Sequence, residues 1–168
     1  MARLTLGRPK GGTRELAAAI ALPLIVGCLS GLLSARGIAG FAQLNKPPLS
    51  PPGWLFPVVW TILYVLMGLS SYLVWRWQGR RYELRQTQRR ALLFYLVQLF
   101  FNFCWSLLFF VAQWRFIAFV WLLVLLLLVV AYMLNARRID NLASMLMIPY
   151  LVWIVFAGYL NLAVAILN

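Results

Sequence analysis

The chain has 168 residues, of which 64% are hydrophobic, and carries 15 Lys+Arg against 3 Asp+Glu with no His; its mean hydropathy is +0.88. A single-domain length with this apolar excess holds more hydrophobic surface than a soluble core can hide, so much of it must face lipid. With no histidine there is no Ser-His-Asp triad, His-ligated haem or, from two Cys alone, zinc site, and the three acids, Glu15, Glu83 and Asp140, all lie at or outside the edges of the apolar runs, so no carboxylate pair can be assembled.

The net charge of +12 is clustered, and charge-free runs lie at 16–35, 47–75, 91–114, 116–136 and 141–168. About 20 apolar residues cross a bilayer as a helix, and backbone amides cannot stay unpaired in hydrocarbon. Runs this long do not alternate as barrel strands do. The expected fold is therefore an all-α integral membrane protein, a bundle of five transmembrane helices. Its spans fall at about 16–34, 54–75, 91–112, 116–135 and 144–167, in a single domain 16–168 behind a basic tail 1–15.

The tail holds Arg3, Arg8, Lys10 and Arg14 among Gly and Pro, without periodicity, and reads as cytoplasmic. The apolar run after it is longer than a signal-peptide h-region and lacks a clear small-x-small cleavage site, so it is kept as span one. Gly27 and Gly31 in that span have the spacing that lets helices approach closely, for packing within the bundle or for a dimer seam. Cys28 and, in span three, Cys104 read as small apolar packing residues.

The first loop, about 35–53, ends in Pro47, Pro48, Pro51 and Pro52 before Trp54. Four prolines in six residues make a stiff segment, either a lid over the bundle or a rigid connector. Trp54 marks re-entry into the membrane as an interfacial anchor. In span two Trp60, Tyr64, Gly68 and Tyr72 recur every four residues and form one aromatic face with a gap. Arg76, Arg80, Arg81, Arg85, Arg89 and Arg90 follow.

Span three places Gln98, Asn102 and Ser106 at i, i+4 and i+8, flanked by Tyr95 and Trp105. Amides at membrane depth need partners, so this face looks into the bundle or a cavity, bonding either a neighbouring helix or a ligand. Span four is Leu/Val-rich and reads as packing. Span five opens with Pro149-Tyr150 and aligns Trp153, Ala157 and Asn161, where the small Ala157 leaves room between the larger two.

Arg137 and Arg138 join spans four and five, which puts twelve of the fifteen cations on one side; Arg36, Lys46 and Arg115 are on the other. The positive-inside rule then sets the N-terminus in the cytoplasm and the C-terminus outside, in a bacterial cytoplasmic (inner) membrane. The same placement argues against nucleic acid as the partner and for contact with the bilayer itself. What lines the interior is Trp, Tyr and amides, which suit a flat, largely apolar ring system.

The stretch Lys46-Pro-Pro-Leu-Ser-Pro-Pro-Gly-Trp-Leu-Phe-Pro-Val-Val-Trp-Thr-Ile-Leu-Tyr64 resembles the signature of the tryptophan-rich sensory protein (TspO) family, bacterial relatives of the mitochondrial translocator protein or peripheral benzodiazepine receptor. Gln98–Phe110 and Pro149–Asn161 are similar to its third- and fifth-helix motifs, and the match covers about 16–168. The resemblance implies a five-helix bundle, commonly a homodimer, that acts as receptor or carrier for tetrapyrroles such as protoporphyrin IX, with no obligatory cofactor and no metal. It places the pocket among helices one, two, three and five under the first loop.

Matching positions carry over Trp60, Asn102, Trp105, Trp153 and Ala157 as ligand contacts, to which the spacing above adds Tyr64, Gln98, Tyr150 and Asn161. Trp60 and Trp153 correspond to residues linked to light- and oxygen-dependent porphyrin breakdown in some members, so an enzymatic role is the alternative reading; a structural or partner-binding role is a third. After Tyr159 there is no Lys or Arg before Asn168, so the sterol-recognition pattern of the family's vertebrate members is missing and sterol binding is unsupported.

Overall fold

The computed structural model describes residues 11–41, 43–79 and 81–168; Arg3, Arg8, Lys10 and Arg80 lie outside them. The described residues form α1 (Thr13–Phe41), α2 (Leu55–Trp75), α3 (Tyr82–Ser106), a π-helical turn (Leu107–Val111), α4 (Arg115–Arg137), a short α5 (Asn141–Met145) and α6 (Ile148–Leu167). Five segments are long and apolar enough to cross a membrane: Thr13–Phe41, Leu55–Trp75, Tyr82–Val111, Arg115–Arg137 and Asn141–Leu167. The protein is thus an all-helical membrane protein of five spans.

The boundaries move where charge had been used to place them. α1 runs to Phe41, past Arg36, and α3 starts at Tyr82, well before the expected 91, because a charged helical turn outside hydrocarbon keeps its backbone bonds at no desolvation cost. The fifth span is broken: Asp140 Oδ1 accepts from the amides of Leu142 (2.9 Å) and Ala143 (3.2 Å) and starts α5. The chain then turns at Leu146 and Met147, and Pro149 sits in the first turn of α6, where its missing N–H costs nothing.

α1 and α2 run antiparallel and close together. Pro23 inside α1 has no N–H, so the Ala19 carbonyl four residues earlier lacks its helical partner. Gly68 of α2 lies against that same carbonyl: a Cβ there would stand 2.7 Å from Ala19 O and 2.5 Å from Ile20 Cα. Gly27 takes the other half of the contact, its missing side chain occupied by the Tyr64 ring. By contrast Gly31 has no neighbour within 4 Å, so of the small-residue pair one member is spent inside the bundle and the other faces outward.

Polar ties set the remaining neighbours. Ser70 Oγ donates to the Ala143 carbonyl (2.6 Å) and, with its one proton so committed, accepts from Tyr132 O–H (2.7 Å), joining α2 to α4 and α5. Trp121 Nε1 donates to the Phe101 carbonyl at 2.8 Å while its ring stacks on Phe101 at 4.2 Å, locking α4 to α3. Gln88 Nε2 lies 2.7 Å from Val74 O and 3.1 Å from both Trp75 O and Trp77 O, covering the open carbonyl end of α2. α4 buries Ala118, Leu122, Leu125 and Val129, as expected of a packing helix. α1 is the least buried span, with Leu29, Leu32 and Leu33 exposed.

Candidate functional site

Alternation of the spans defines two ends. The basic end holds the start of α1 and the α2–α3 and α4–α5 connections; the loop end holds residues 43–54, the α3–α4 connection and the C-terminus. The candidate site lies in the loop-end half, where α2, α3 and α6 meet.

Trp60 is its centre. Its ring stacks on Tyr64 (centroids 5.5 Å, 29°) and lies 6.3 Å from Trp105, 6.2 Å from Tyr150 and 6.5 Å from Trp153, perpendicular to the last. These residues come from three helices, and offset or edge-on aromatic pairs at such separations are favourable contacts. Trp60 and Trp153 remain half-buried, whereas Tyr150 is fully buried. Phe56 flanks Trp153 at 6.0 Å and Phe156 at 5.5 Å.

The amides on the α3 face have different fates. Asn102 accepts from Tyr64 O–H at 2.9 Å and donates through Nδ2 to Tyr150 O–H at 2.9 Å, so one buried amide ties α2, α3 and α6. Asn161 accepts from Trp105 Nε1 (3.1 Å) and donates to the Arg115 carbonyl (2.7 Å), tying α6 to α3 and to the start of α4. Ser106 shares a 2.8 Å bond with Ser34 of α1. Between the two alternatives for the α3 face, Asn102 and Ser106 are hydrogen-bonded to neighbouring helices, as is Asn161 of α6. Gln98 is fully buried with neither Oε1 nor Nε2 partnered, and the Tyr95 hydroxyl and Trp153 indole N–H are also buried without partners. A buried unmet polar group costs about 1–3 kcal/mol, and such atoms mark where a ligand or water completes the structure.

Ala157 is buried one turn from both Trp153 and Asn161. The π turn after Ser106 closes with Ala112 N–H on the Leu107 carbonyl, five residues back, at 2.9 Å. Phe109 there lies parallel to Trp105 (5.7 Å, 18°) and meets Phe41 of α1 at 5.7 Å and Phe110 at 4.9 Å. Phe41, Phe109 and Phe110 extend the aromatic row beyond the residues selected by spacing. Phe109 stands four residues after Trp105 and so had a helical signal; Phe41 had none, since it falls in the stretch read as loop.

The proline-rich segment is docked. Tyr159 O–H donates to the Pro48 carbonyl at 2.9 Å, and Asn45 and Asn168 exchange two bonds, 3.0 Å and 3.1 Å, at the end of α6. Ser50 caps a turn through its hydroxyl (2.8 Å) and amide (3.3 Å) on the Pro47 carbonyl. Pro47 is buried, Pro48 and Pro52 are exposed and Pro51 is half-buried; Leu49 has φ +67°, uncommon for a side chain of its size. Trp54 is 67% exposed and takes no part in the aromatic cluster.

Two cavities adjoin these elements. One of about 80 Å³ at the loop end is lined by Phe41, Phe109, Phe110 and Arg115 among others. One of about 360 Å³ in the basic half lies between α1, α2 and α3, lined by Ala18, Leu22, Ser71, Tyr72 and Tyr95 among others. Among the described residues no group of three His, Cys, Asp or Glu side chains is placed to hold a metal ion.

Residues 19–167 match the model of the TspO/MBR family. A tryptophan-rich protein TspO from Chlorobaculum tepidum is 35% identical over 156 residues, spanning 91% of this chain and 95% of its own. The protein of the same description from Archaeoglobus fulgidus is 33% identical over 161 residues, 92% and 97%, and the translocator protein of Homo sapiens is 35% identical over 148, 83% and 82%.

Proposed function

The chain belongs to the TspO/MBR family, and from that premise we propose that it is a membrane receptor or carrier that binds a tetrapyrrole between α2, α3 and α6. The observation that carries this reading is the cluster of Trp60, Tyr64, Trp105, Tyr150 and Trp153. In it the Trp153 N–H is buried and unpartnered, as is the Gln98 amide one turn from Asn102 on α3. Flat apolar rings gain area and quadrupole contact on indole faces, and a few unsatisfied polar groups orient their edges. In the free protein those faces stack on one another, so binding replaces aromatic neighbours with the ligand. The docked proline-rich segment serves as the lid, held by Tyr159 and Asn45 rather than hinged freely.

Titration of the purified protein with protoporphyrin IX, following tryptophan fluorescence, tests the reading. Saturable quenching is expected, weakened at least tenfold in a Trp60→Ala, Trp153→Ala double variant, on the scale of about 1–3 kcal/mol per stacked ring. Unchanged affinity in that variant refutes stacking.

A second reading is photo-oxidative breakdown of the bound ring, with Trp60 and Trp153 as redox participants. The closeness of the two indoles, 6.5 Å between ring centroids, is what favours it. Illumination in oxygen then yields a new absorbing product only with protein present; equal bleaching of free porphyrin rules it out. The orientation that accompanies both readings has the basic end in the cytoplasm of a bacterial inner membrane, and a homodimer accounts for the exposed face of α1 with its outward-facing Gly31. Accessibility of a single cysteine introduced at Ser50 to membrane-impermeant thiol reagent, in a background lacking Cys28 and Cys104, tests the orientation, and α1 cross-linking tests the dimer.

A further inference from the structure

The groove of about 360 Å³ in the basic half is separate from the aromatic cluster, since none of Trp60, Trp105 and Trp153 lines it. Its size is that of spaces ligands occupy. Leu22 of α1 and Leu96 of α3, 41% and 54% exposed, stand on two of its walls, and Ala18 and Leu92 continue the apolar lining. Those exposed leucines face hydrocarbon, where an apolar gap stays dry and is filled by an apolar chain.

Charge gathers at one end of this groove. Tyr72 of α2 lines it and stacks on Trp75, another wall residue, at 6.4 Å and 29°. The Arg76 guanidinium carbon stands 5.8 Å from the Tyr72 ring centroid, within cation–π range. The chain ahead of α1 is pressed onto the same side chain: Gly11 has φ +123°, and a Cβ there would stand 2.7 Å from the Tyr72 hydroxyl oxygen. Glu15, a turn further on, also lines the groove. Among the described residues its carboxylate makes one hydrogen bond, Oε2 accepting from Gly12 N–H at 2.8 Å. A cation and an anion thus flank Tyr72 at the rim.

Below the rim lie two hydroxyls. Ser71 and Tyr95 each stand five residues inward of an arginine, Arg76 on α2 and Arg90 on α3, which is about 7.5 Å along a helix. Ser71 Oγ donates to the Gly68 carbonyl at 2.9 Å, but the Tyr95 hydroxyl is buried with no partner. A donor without an acceptor therefore sits beside an apolar groove, one step beneath a rim of both charges.

We propose that this groove binds one ethanolamine phospholipid from the leaflet at the basic end, with an acyl chain along Ala18, Leu22, Leu92 and Leu96, the phosphate at Arg76 and the primary ammonium at Glu15. Guanidinium offers phosphate paired N–H donors, and the ester carbonyls of a phospholipid lie just beneath its phosphate, where one accepts from Tyr95. A glycerol headgroup supplies the phosphate but no cation for Glu15. A lipid held in this way ties α1, the least buried span, to α2 and α3.

Native mass spectrometry of the full chain in a neutral detergent tests the site, with equimolar phosphatidylethanolamine and phosphatidylglycerol of the same acyl chains. One lipid per chain is retained, the ethanolamine lipid preferred about two- to fivefold, the scale of one exposed ion pair. Glu15→Gln, whose amide oxygen still accepts from Gly12, abolishes the preference without reducing phosphatidylglycerol retention. Arg76→Gln weakens both lipids severalfold, and Arg76→Lys, which keeps the charge, serves if the glutamine variant does not fold. Tyr95→Phe weakens both while the unfolding midpoint of lipid-free protein does not fall, because the hydroxyl it removes has no partner. Ala18→Phe, at an exposed position, fills the groove and removes the retained lipid, and Arg137→Gln on α4 changes neither lipid. Equal or stronger retention of phosphatidylglycerol by the unmodified protein, no lipid held one to one, or an Ala18→Phe variant that retains lipid as before overturns the site. None of these outcomes depends on tetrapyrrole binding at the loop end.

Discussion

Replacing Asn102 by Leu removes, while keeping the number and branching of side-chain heavy atoms, the one side chain that joins the hydroxyls of Tyr64 and Tyr150. The amide is 2% exposed and its two partners are 8% and 0% exposed, so water does not substitute for it. Interhelical bonds in membrane proteins average about 0.6 kcal/mol and reach about 1.7. Two such bonds therefore predict a loss of about 1–3 kcal/mol, with both tyrosine hydroxyls left unmet. Equilibrium unfolding in mixed detergent micelles, followed by far-ultraviolet circular dichroism, measures it. Tyr64→Phe and Tyr150→Phe alone should each cost less than Asn102→Leu, and the Asn102→Leu, Tyr64→Phe, Tyr150→Phe triple variant should be less destabilised than the three single losses added, because the orphaned hydroxyls are gone. Strict additivity of the three, or an Asn102→Leu variant as stable as the parent, would show that this amide does not bind the helices together and would return it to the set of groups available to ligand.

Further expectations follow from single contacts. Gly68→Ala forces a methyl against the Ala19 carbonyl and Ile20 backbone, and overpacking of this kind costs about 1–3 kcal/mol, whereas Gly31→Ala, with open space around it, leaves the unfolding midpoint of the monomer unchanged; equal effects contradict the α1–α2 packing described. Tyr159→Phe frees the Pro48 carbonyl and should speed amide hydrogen exchange across the 43–54 loop with a stability loss of only about 0.5–1.5 kcal/mol, and unaltered exchange argues that Asn45 and Asn168 suffice to hold the lid. Asp140→Ala uncaps α5 and should cost about 0.5–2 kcal/mol, measurable in the same micelle unfolding assay; no loss there means α5 is held by packing of Ala143 and Ser144 alone.

The closed aromatic cluster has a consequence for binding. Trp60 touches four other rings, so a ligand gains stacking area only by separating some of these pairs. Affinity then reflects a difference between two stacked states rather than the full stacking of a bare pocket. The lid contributes by stiffness: its prolines limit the conformations lost when the loop docks, and its anchors on α6 couple the loop to the helix that carries Trp153.

Five spans and an aromatic, amide-bearing interior were legible in the residues themselves, because hydrocarbon tolerates neither charge nor open backbone and the runs of uncharged residues record that constraint directly. The four-residue recurrence of Trp60, Tyr64, Gly68 and Tyr72 likewise followed from helical geometry, as did the shared face of Trp153, Ala157 and Asn161. Which partner each residue meets was not in the spacing. Only the packed bundle decided that Asn102 and Asn161 bond to other helices while Gln98 bonds to none, that Gly68 fits the carbonyl freed by Pro23, and that Phe41 joins the aromatic row through Phe109. Periodicity assigns a side chain to a face of its own helix, but the hydrogen-bond partners of the site lie tens of residues away in the chain, 38 for Tyr64 and Asn102, 48 for Asn102 and Tyr150 and 56 for Trp105 and Asn161, and those distances close only when the helices pack.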